Sequence, residues 1–332
     1  MRRIINFEKK PYIISSAAVG GREEKLGPLG SFFDFTDESD RFGKETWEKA
    51  EGEMGRLSLS IALKKSNLST EDIDAIFAGD LENQCVASSS GLYTFGIPYI
   101  GLYSACSTCT EALLLLSSMI SSGYLKSGAT VTTSHNSAAE RQFRTPIEYG
   151  AQRTPTSQWT ATAAGSFILS SDIKSDIYIN DGMIGKIVDG LTTDASNMGA
   201  AMSRAAFDSI YTYFSVSGKN PGDFDAIFTG DLGKIGSEIL YELSKKDLPE
   251  IKSIHRDCGT ILFDMNKKNV NAGASGCGCS ASVLSAYILP RLRSGEYENI
   301  LFLSTGALMS PSSVLQGENI LGIAPVIHIS AR

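Results

Sequence analysis

The residue best placed for covalent chemistry is Cys106, which lies between a predicted strand at residues 98–103 and a predicted helix at 110–120. A cysteine at a helix N-terminus faces unpaired backbone N–H groups and the positive end of the helix dipole, which lower the pKa of its thiol. The same N–H groups could stabilise an oxyanion. The position therefore favours a reactive nucleophile over the alternative, a buried structural cysteine.

Two histidines also end predicted strands. His255 follows a strand predicted at residues 251–254, and His135 ends a strand predicted at 129–133. If an approximate twofold axis relates two halves of the chain, the strand end at His255 approaches the strand end at Cys106. We therefore expect His255 to lie near the thiol; the alternative is a histidine in a surface loop.

A cationic and aromatic segment lies between residues 135 and 153. Its three arginines fall within 13 residues and alternate with two aromatic rings: Arg141, Phe143, Arg144, Tyr149 and Arg153. Guanidinium groups make two-pronged contacts with carboxylates, and aromatic rings provide stacking faces. The segment therefore predicts a site for a small anionic aromatic ligand, with a solvated charged loop as the alternative.

Two cysteine pairs, Cys106–Cys109 and Cys277–Cys279, supply four thiols that could in principle hold zinc. The spacing of the second pair is short for a zinc knuckle, and glycines flank both of its cysteines. A glycine-rich turn at residues 273–276 lacks the Lys-Ser/Thr pair of a phosphate-binding loop. We therefore predict no metal site and no cofactor.

The composition sets limits on the class of protein. The chain has 332 residues, 42% of them apolar, and a formal net charge of −7, which argues against a general nucleic-acid binder. No apolar run approaches the roughly 20 residues of a membrane helix, and the first residues lack a secretory signal. Six cysteines are too few for a disulfide scaffold. We expect the chain to stay on the cytoplasmic side after synthesis.

The elements that must position these side chains occur twice. Residues 72–81 recur as residues 223–232 with eight of ten positions identical, at an offset of 151. The same offset pairs Ile100 with Ile251, and one slip then pairs Cys106 with Cys258. The repeat predicts a duplicated fold with an N-terminal half at residues 1–172 and a C-terminal half at 173–332.

Strands and helices alternate within each half. Helices are predicted at residues 44–65, 110–120, 200–214 and 279–293, and the further strands at 75–78, 166–169, 226–229, 300–304 and 324–329. This alternation is typical of α/β folds. The helices at 110–120 and 279–293 are apolar nearly all round, so we expect them to be buried between two sheets.

These features resemble the thiolase and β-ketoacyl synthase superfamily and, within it, the stage V sporulation protein AD family. The resemblance covers essentially the whole chain and depends on stretches at residues 27–30, 78–84, 133–136, 139–144, 148–150, 255–259 and 275–280. It implies a thiolase-like fold with five layers, α-β-α-β-α. Members of the superfamily are commonly homodimers.

The resemblance also implies a function. It suggests a protein of endospore-forming bacteria that binds dipicolinic acid (pyridine-2,6-dicarboxylic acid) or its calcium chelate. Such a protein would be peripheral at the spore inner membrane, with other subunits of the complex that takes this compound into the developing spore. Together with the cationic segment, it predicts these ligand-binding residues: Cys106, His135, Arg141, Gln142, Arg144, Tyr149 and His255. We expect residues 135–153 to cover a pocket with Cys106 at its floor and His255 opposite.

The sequence departs from the active condensing enzymes that it resembles. Those enzymes pair the cysteine with two further residues, one of them a histidine or asparagine in a turn where this chain has residues 273–278 without either. A nucleophile without its base and oxyanion partner loses most of its advantage. We therefore predict a non-enzymatic binding protein in which Cys106 and His255 are vestigial nucleophile and base positions. The alternatives are an acyltransferase or β-ketoacyl synthase-like enzyme with Cys106 as nucleophile, and a purely structural scaffold.

Overall fold

The computed structural model describes residues 4–143, 153–267 and 270–332. Two of the predicted ligand-binding residues, Arg144 and Tyr149, lie outside these ranges. The principal elements of the first half are β1 (Tyr12–Gly20), α1 (Trp47–Ser66), β2 (Ala75–Gly79), α2 (Val86–Leu92), β3 (Tyr99–Gly101), α3 (Thr108–Ser121), β4 (Ser127–Ser134), α4 (Asn136–Phe143) and β5 (Ala163–Ser170).

The second half begins with β6 (Ile177–Met183), α5 (Met198–Ser217), β7 (Ala226–Thr229), α6 (Gly233–Ser244), α7 (Ile251–Ile254), β8 (His255–Asp257) and α8 (Cys258–Leu262). It continues with α9 (Cys277–Val283), a π-helical turn (Leu284–Ile288), α10 (Leu289–Arg293), β9 (Asn299–Leu303), β10 (Gly306–Leu308), α11 (Pro311–Leu315), β11 (Leu321–Ile323) and β12 (Val326–Ala331). Shorter elements are Ile5–Asn6, Arg22–Lys25, Phe35–Thr36, Trp159–Thr160, Val188–Asp189 and Ala274–Ser275.

The strands of the two halves follow one another in mirrored order. The path through the sheet is β8-β7-β9-β12-β6-β1-β5-β4-β2-β3, in which β1 and β6 meet at an antiparallel bridge between Tyr12 and Tyr178. The short strand Ile5–Asn6 also pairs with β6. Each half contributes five strands to this path. Outward from the bridge, their order in both halves is first, fifth, fourth, second and third in the chain. The predicted duplication is therefore confirmed. The division between residues 172 and 173 stays a prediction; it falls in the connection from β5 to β6.

Two helices fill the space between the halves. Leu113 and Leu116 of α3 and Val283 of α9 belong to one buried cluster that also contains Phe167 of β5 and Phe302 of β9. Separate clusters join α1 to the outer face of the first half and α5 to that of the second. This arrangement has five layers, α-β-α-β-α, as predicted, because helices apolar on all sides are stable only where both faces are covered.

The sequence expectation was wrong at residues 251–254, which form helix α7 and not a strand. Ile251 and Ile254, three positions apart, both pack into the outer core of the second half. The third strand of this half is β8, where Ile227 pairs with His255 and Phe228 with Arg256. Ile100, which pairs with Phe77, therefore corresponds to Arg256 and not to Ile251. The repeat offset changes here because the twelve-residue α6 and the added α7 replace the seven-residue α2.

Within the described ranges, none of the helices has the length and apolar character that a bilayer span needs.

Candidate functional site

A cavity of about 510 Å³ opens between the two halves, with Cys106 and Ser275 among its lining residues. The first half contributes Leu81, Tyr103, Ala105, Ala139, Glu140, Phe143 and Thr160 to its walls. The second half contributes Ala195, Ser196, Met198, Ala307, Leu308, Met309, Ser310 and Ser313. The walls are mostly apolar, with hydroxyl groups at several points. Cavities of this size commonly enclose a small organic ligand.

The backbone before Cys106 holds the thiol at the start of α3. Ala105 has φ +51°, a left-handed conformation that is uncommon for a residue with a Cβ atom, and Ala105–Ser107 form a 3₁₀ turn that leads into α3. The Sγ atom of Cys106 lies 3.8 Å from Oγ of Ser275, and the side chain is buried except for a small part facing the cavity. The predicted helix-start position of Cys106 is confirmed.

The predicted acidity of this thiol was wrong. The pKa of Cys106 is raised well above its usual value because burial removes solvent from the thiolate and the carboxylate of Asp231 repels it. These two effects outweigh the Ser275 side chain and the backbone N–H of Gly276, which lower the pKa. Since the thiolate is the nucleophilic form, these surroundings favour the less reactive thiol form of Cys106.

Asp231, which we did not predict as a site residue, organises the floor of the cavity. Its Oδ2 accepts hydrogen bonds from Oγ of Ser275 at 3.0 Å and from the backbone N–H of Gly276 at 2.9 Å. Its Oδ1 accepts one from Oγ1 of Thr305 at 3.0 Å. Burial raises the pKa of Asp231 to about 6. The only feature of the sequence that pointed to Asp231 was the repeated Gly-Asp-Leu, which we interpreted as evidence of duplication and not as part of a site.

His255 is buried but does not line the cavity, so its expected place opposite Cys106 was wrong. Tyr241 donates a hydrogen bond to Nδ1 at 3.0 Å, and Nε2 lies 2.8 Å from Oγ1 of Thr229. The Thr229 hydroxyl donates to Asp257 at 2.7 Å, so it accepts from Nε2–H and the imidazole is neutral. Burial and Arg256 lower the pKa of His255 to about 3. His255 faces β7 and α6 because it sits on β8.

His135 also lies outside the cavity lining. Its Nδ1 accepts a hydrogen bond from the N–H of Ser137, so Nε2–H donates to the carbonyl oxygen of Asp40, 2.9 Å away. The imidazole packs against the ring of Trp47 with 5.2 Å between the ring centroids. Nε2 therefore joins the end of β4 to the loop at residue 40, Nδ1 bonds the first turn of α4, and the ring itself packs on α1.

Arg141 and Gln142 occupy different sides of α4. Arg141 forms an ion pair with Glu48 of α1 and does not line the cavity. Gln142 donates to the carbonyl oxygen of Leu81 at 2.9 Å and accepts from the N–H of Asn83 at 3.0 Å. Gln142 thus fixes the end of α4 against the loop after β2 that forms part of the cavity wall.

Arg153, another arginine of the predicted cationic segment, contacts a residue of the cavity wall. Arg153 forms an ion pair of 2.9 Å with Glu140, which lines the cavity, and donates to the carbonyl oxygen of Gln158 at 3.0 Å. Its guanidinium lies 4.3 Å from the centre of the Trp159 ring. Within the predicted cationic segment, Arg153 is therefore linked to the cavity wall through Glu140.

The described lining includes no lysine, arginine or histidine. Its polar groups are the hydroxyls of Tyr103, Thr160, Ser196, Ser310 and Ser313, the Cys106 and Ser275 side chains, and Glu140. Over the described ranges there is also no group of three or more His, Cys, Asp or Glu side chains arranged to hold a metal ion. The arrangement suits binding of a ligand through hydroxyl and backbone donors and apolar walls.

Comparison with known proteins gives concordant results. The family model for Stage V sporulation protein AD matches residues 1–330. The Stage V sporulation protein AD of Bacillus subtilis (strain 168) is 38% identical over 318 residues, which cover 96% of this chain and 94% of that protein.

Solved structures of similar fold have low sequence identity. OleA of Xanthomonas campestris superposes with a TM-score of 0.62 at 13% identity, covering 97% of this chain and 99% of that one. The 3-oxoacyl-[acyl-carrier-protein] synthase III of Aquifex aeolicus VF5 gives a TM-score of 0.56 at 13% identity, covering 95% and 99%. These two likenesses confirm the thiolase-like fold and, at such identity, nothing beyond the fold.

Proposed function

The chain belongs to the stage V sporulation protein AD family, and we propose that its cavity binds dipicolinic acid or the calcium chelate of that acid without catalysing a reaction. The ligand's identity rests on the family resemblance. The observation that carries the non-catalytic assignment is the buried carboxylate of Asp231 beside the Cys106 thiol.

The cavity suits a flat ring. Its volume of about 510 Å³ exceeds the need of a single six-membered ring with two carboxylates, and Leu81, Phe143 and Met309 supply apolar walls. Hydroxyl groups at Ser196, Ser310 and neighbouring positions can donate hydrogen bonds to carboxylate oxygens.

The same geometry disfavours the alternative of a condensing enzyme. A nucleophilic cysteine needs a group that removes its proton and a donor that stabilises the oxyanion. In the described structure the side chains that form hydrogen bonds with the thiol are Ser275 and Asp231. A carboxylate next to the sulfur opposes formation of the thiolate, and His255 is engaged with Thr229 and Tyr241.

Calorimetric titration of the full chain with dipicolinate, with and without calcium, tests the proposed ligand. We expect saturable binding of one ligand per chain in at least one of the two conditions. Benzoate serves as the control, because it has the same ring size and one carboxylate fewer. Equal heats for benzoate and dipicolinate would contradict recognition of the dicarboxylate.

Mass spectrometry tests the absence of catalysis. After incubation with acetyl-coenzyme A or longer acyl-coenzyme A at neutral pH, we expect Cys106 to carry no acyl group, because its raised pKa leaves little thiolate. An adduct on Cys106, or turnover that Cys106→Ala abolishes, would restore the condensing-enzyme alternative.

We also propose a homodimer that acts at the spore inner membrane with the other subunits of the stage V sporulation complex. The proposed location at the membrane and the proposed partner subunits rest on the family resemblance alone. Dimerisation is supported by β3, which ends the described path of the sheet and leaves Tyr99 and Ile100 exposed beside Tyr93 and Tyr103. An exposed apolar edge strand can pair with its copy across a twofold axis. The solution mass, from light scattering, distinguishes monomer from dimer.

A further inference from the structure

Asp231 lies directly behind the floor of the proposed ligand cavity. Its side chain has no solvent exposure, yet Ser275 and Cys106, the two floor residues, are both in contact with it. Thr305 and the N–H of Gly276 complete its hydrogen bonds. A ligand resting on the floor is therefore separated from this carboxylate by single side chains.

The other ionisable groups around Asp231 do not offset its negative charge. Asp257 of β8 is a second buried carboxylate, whose oxygens accept the N–H groups of Leu232 and Gly233 immediately after Asp231. Burial raises the pKa values of three thiols that face it, Cys106, Cys258 and Cys279. In the described part of the chain the hydrogen bonds of Asp231 come from Ser275, Gly276 and Thr305, and no lysine or arginine forms an ion pair with it.

We propose that an anionic dicarboxylate binds to this cavity together with one proton, which Asp231 takes up from solvent. The inference rests on the proposed function, because it requires an anion in the cavity. The two carboxylates of the ligand and the ionised, buried carboxylate of Asp231 are three negative charges, which repel one another strongly where water is excluded. Proton uptake removes one of the three charges, so ligand and proton favour each other's binding by the same factor.

The hydrogen bonds around Asp231 can accommodate this proton. The N–H of Gly276 can only donate and remains on Oδ2, whereas the partner of Oδ1 is the hydroxyl of Thr305. A hydroxyl both donates and accepts, so Thr305 can rotate and accept a bond from a proton on Oδ1. The pKa of Asp231, raised to about 6, leaves the group mostly ionised in the free protein at pH 7.5, and a bound anion raises it further.

Calorimetry of the full chain with dipicolinate in phosphate and in Tris buffer at pH 7.5 measures this uptake, because the two buffers release protons with different enthalpies. We expect about one proton per ligand and an affinity that falls roughly tenfold per pH unit between pH 6.5 and 8. Asp231→Asn reproduces the pattern of the protonated side chain, because its amide oxygen can accept from Gly276 while its NH2 donates to Thr305. This variant should bind with an uptake near zero and with little pH dependence.

Glu51→Gln is the matched control, because Glu51 is a buried carboxyl group that faces β4 and not Asp231; it should retain the uptake. Binding by the parent chain with equal enthalpies in both buffers would overturn proton coupling while leaving the proposed function intact. Loss of the uptake in Glu51→Gln and its persistence in Asp231→Asn would overturn the assignment to Asp231. No binding at any pH from 6 to 8 would instead contradict the proposed function itself.

Discussion

Cys106→Trp should abolish dipicolinate binding, with an affinity at least a hundredfold below that of the parent chain. Cys106 lines the cavity, and α3 behind it is packed between the two halves, so an indole at this position can extend only into the ligand's space. Cys106→Ser should change the affinity less than threefold, because it keeps the size of the side chain and the proposed function uses no covalent bond. Calorimetric titration measures both effects.

The matched control for the tryptophan is Tyr124→Trp. Tyr124 is 78% exposed and follows the opposite end of α3, which at 14 residues places it about 21 Å from the helix start. Circular dichroism and thermal unfolding confirm that each variant is folded. A folded Cys106→Trp protein that binds dipicolinate as the parent does would place the ligand elsewhere. Loss of binding in Cys106→Ser would indicate that the thiol itself is required.

Glu51→Gln should stabilise the protein at pH 8 by about 1–3 kcal/mol and have little effect at pH 5. Glu51 of α1 and Glu82 after β2 are both buried and interact with each other, with the carboxyl of Asp80 nearby. Oε1 of Glu51 accepts a hydrogen bond from Thr133 at 2.9 Å, while Oε2 of Glu51 and Oε1 of Glu82 have no partner. A glutamine amide can donate to Glu82 and keep the Thr133 contact.

The direction of the pH effect follows from the two pKa values. Burial and the charge of Asp80 raise the pKa of Glu51 well above its usual value, and burial raises that of Glu82 to about 7. The folded protein therefore holds protons that the unfolded chain releases above about pH 4.5. The resulting stability is complete below that pH and is lost as the pH rises through about 7, so the parent chain should be less stable at pH 8 than at pH 5.

Urea unfolding at the two pH values measures this difference. Glu71→Gln, at an exposed position in the first half, removes the same charge without touching a buried group and should change the free energy of unfolding by less than about 0.5 kcal/mol at either pH. Equal stabilisation by Glu51→Gln at pH 5 and pH 8 would contradict raised pKa values of the buried carboxyl groups as the cause of the effect.

Local patterns in the sequence were sufficient for most of the architecture. The repeat at residues 72–81 and 223–232 fixed the equivalence of β2 and β7, and two helices without a polar face could only lie between sheets. The exception at residues 251–254 has a physical cause. A segment of four residues with an isoleucine at each end fits either a short strand or one turn of helix, and tertiary packing of Ile251 and Ile254 favoured the helix.

The cavity floor could be predicted only in part. The position of Cys106 at a strand-to-helix junction is a local feature and was confirmed. Asp231 acquires its role from Ser275 and Thr305, which lie 44 and 74 residues away in sequence. The raised pKa of the thiol follows from burial and from the same long-range contact with Asp231, so reasoning from the helix dipole alone gave the wrong sign. The place of His255 on β8, and not after a strand at residues 251–254, likewise depended on the pairing of β7 with β8.

A crystal structure of the chain with dipicolinate bound would test most directly whether this cavity is the ligand site. We expect density for one ring above Cys106 and Ser275, between Phe143 and Met309, with carboxylate oxygens within hydrogen-bonding distance of the lining hydroxyl groups. Density for the ring at any other place, with this cavity empty at a ligand concentration that saturates the calorimetric signal, would contradict the proposed site.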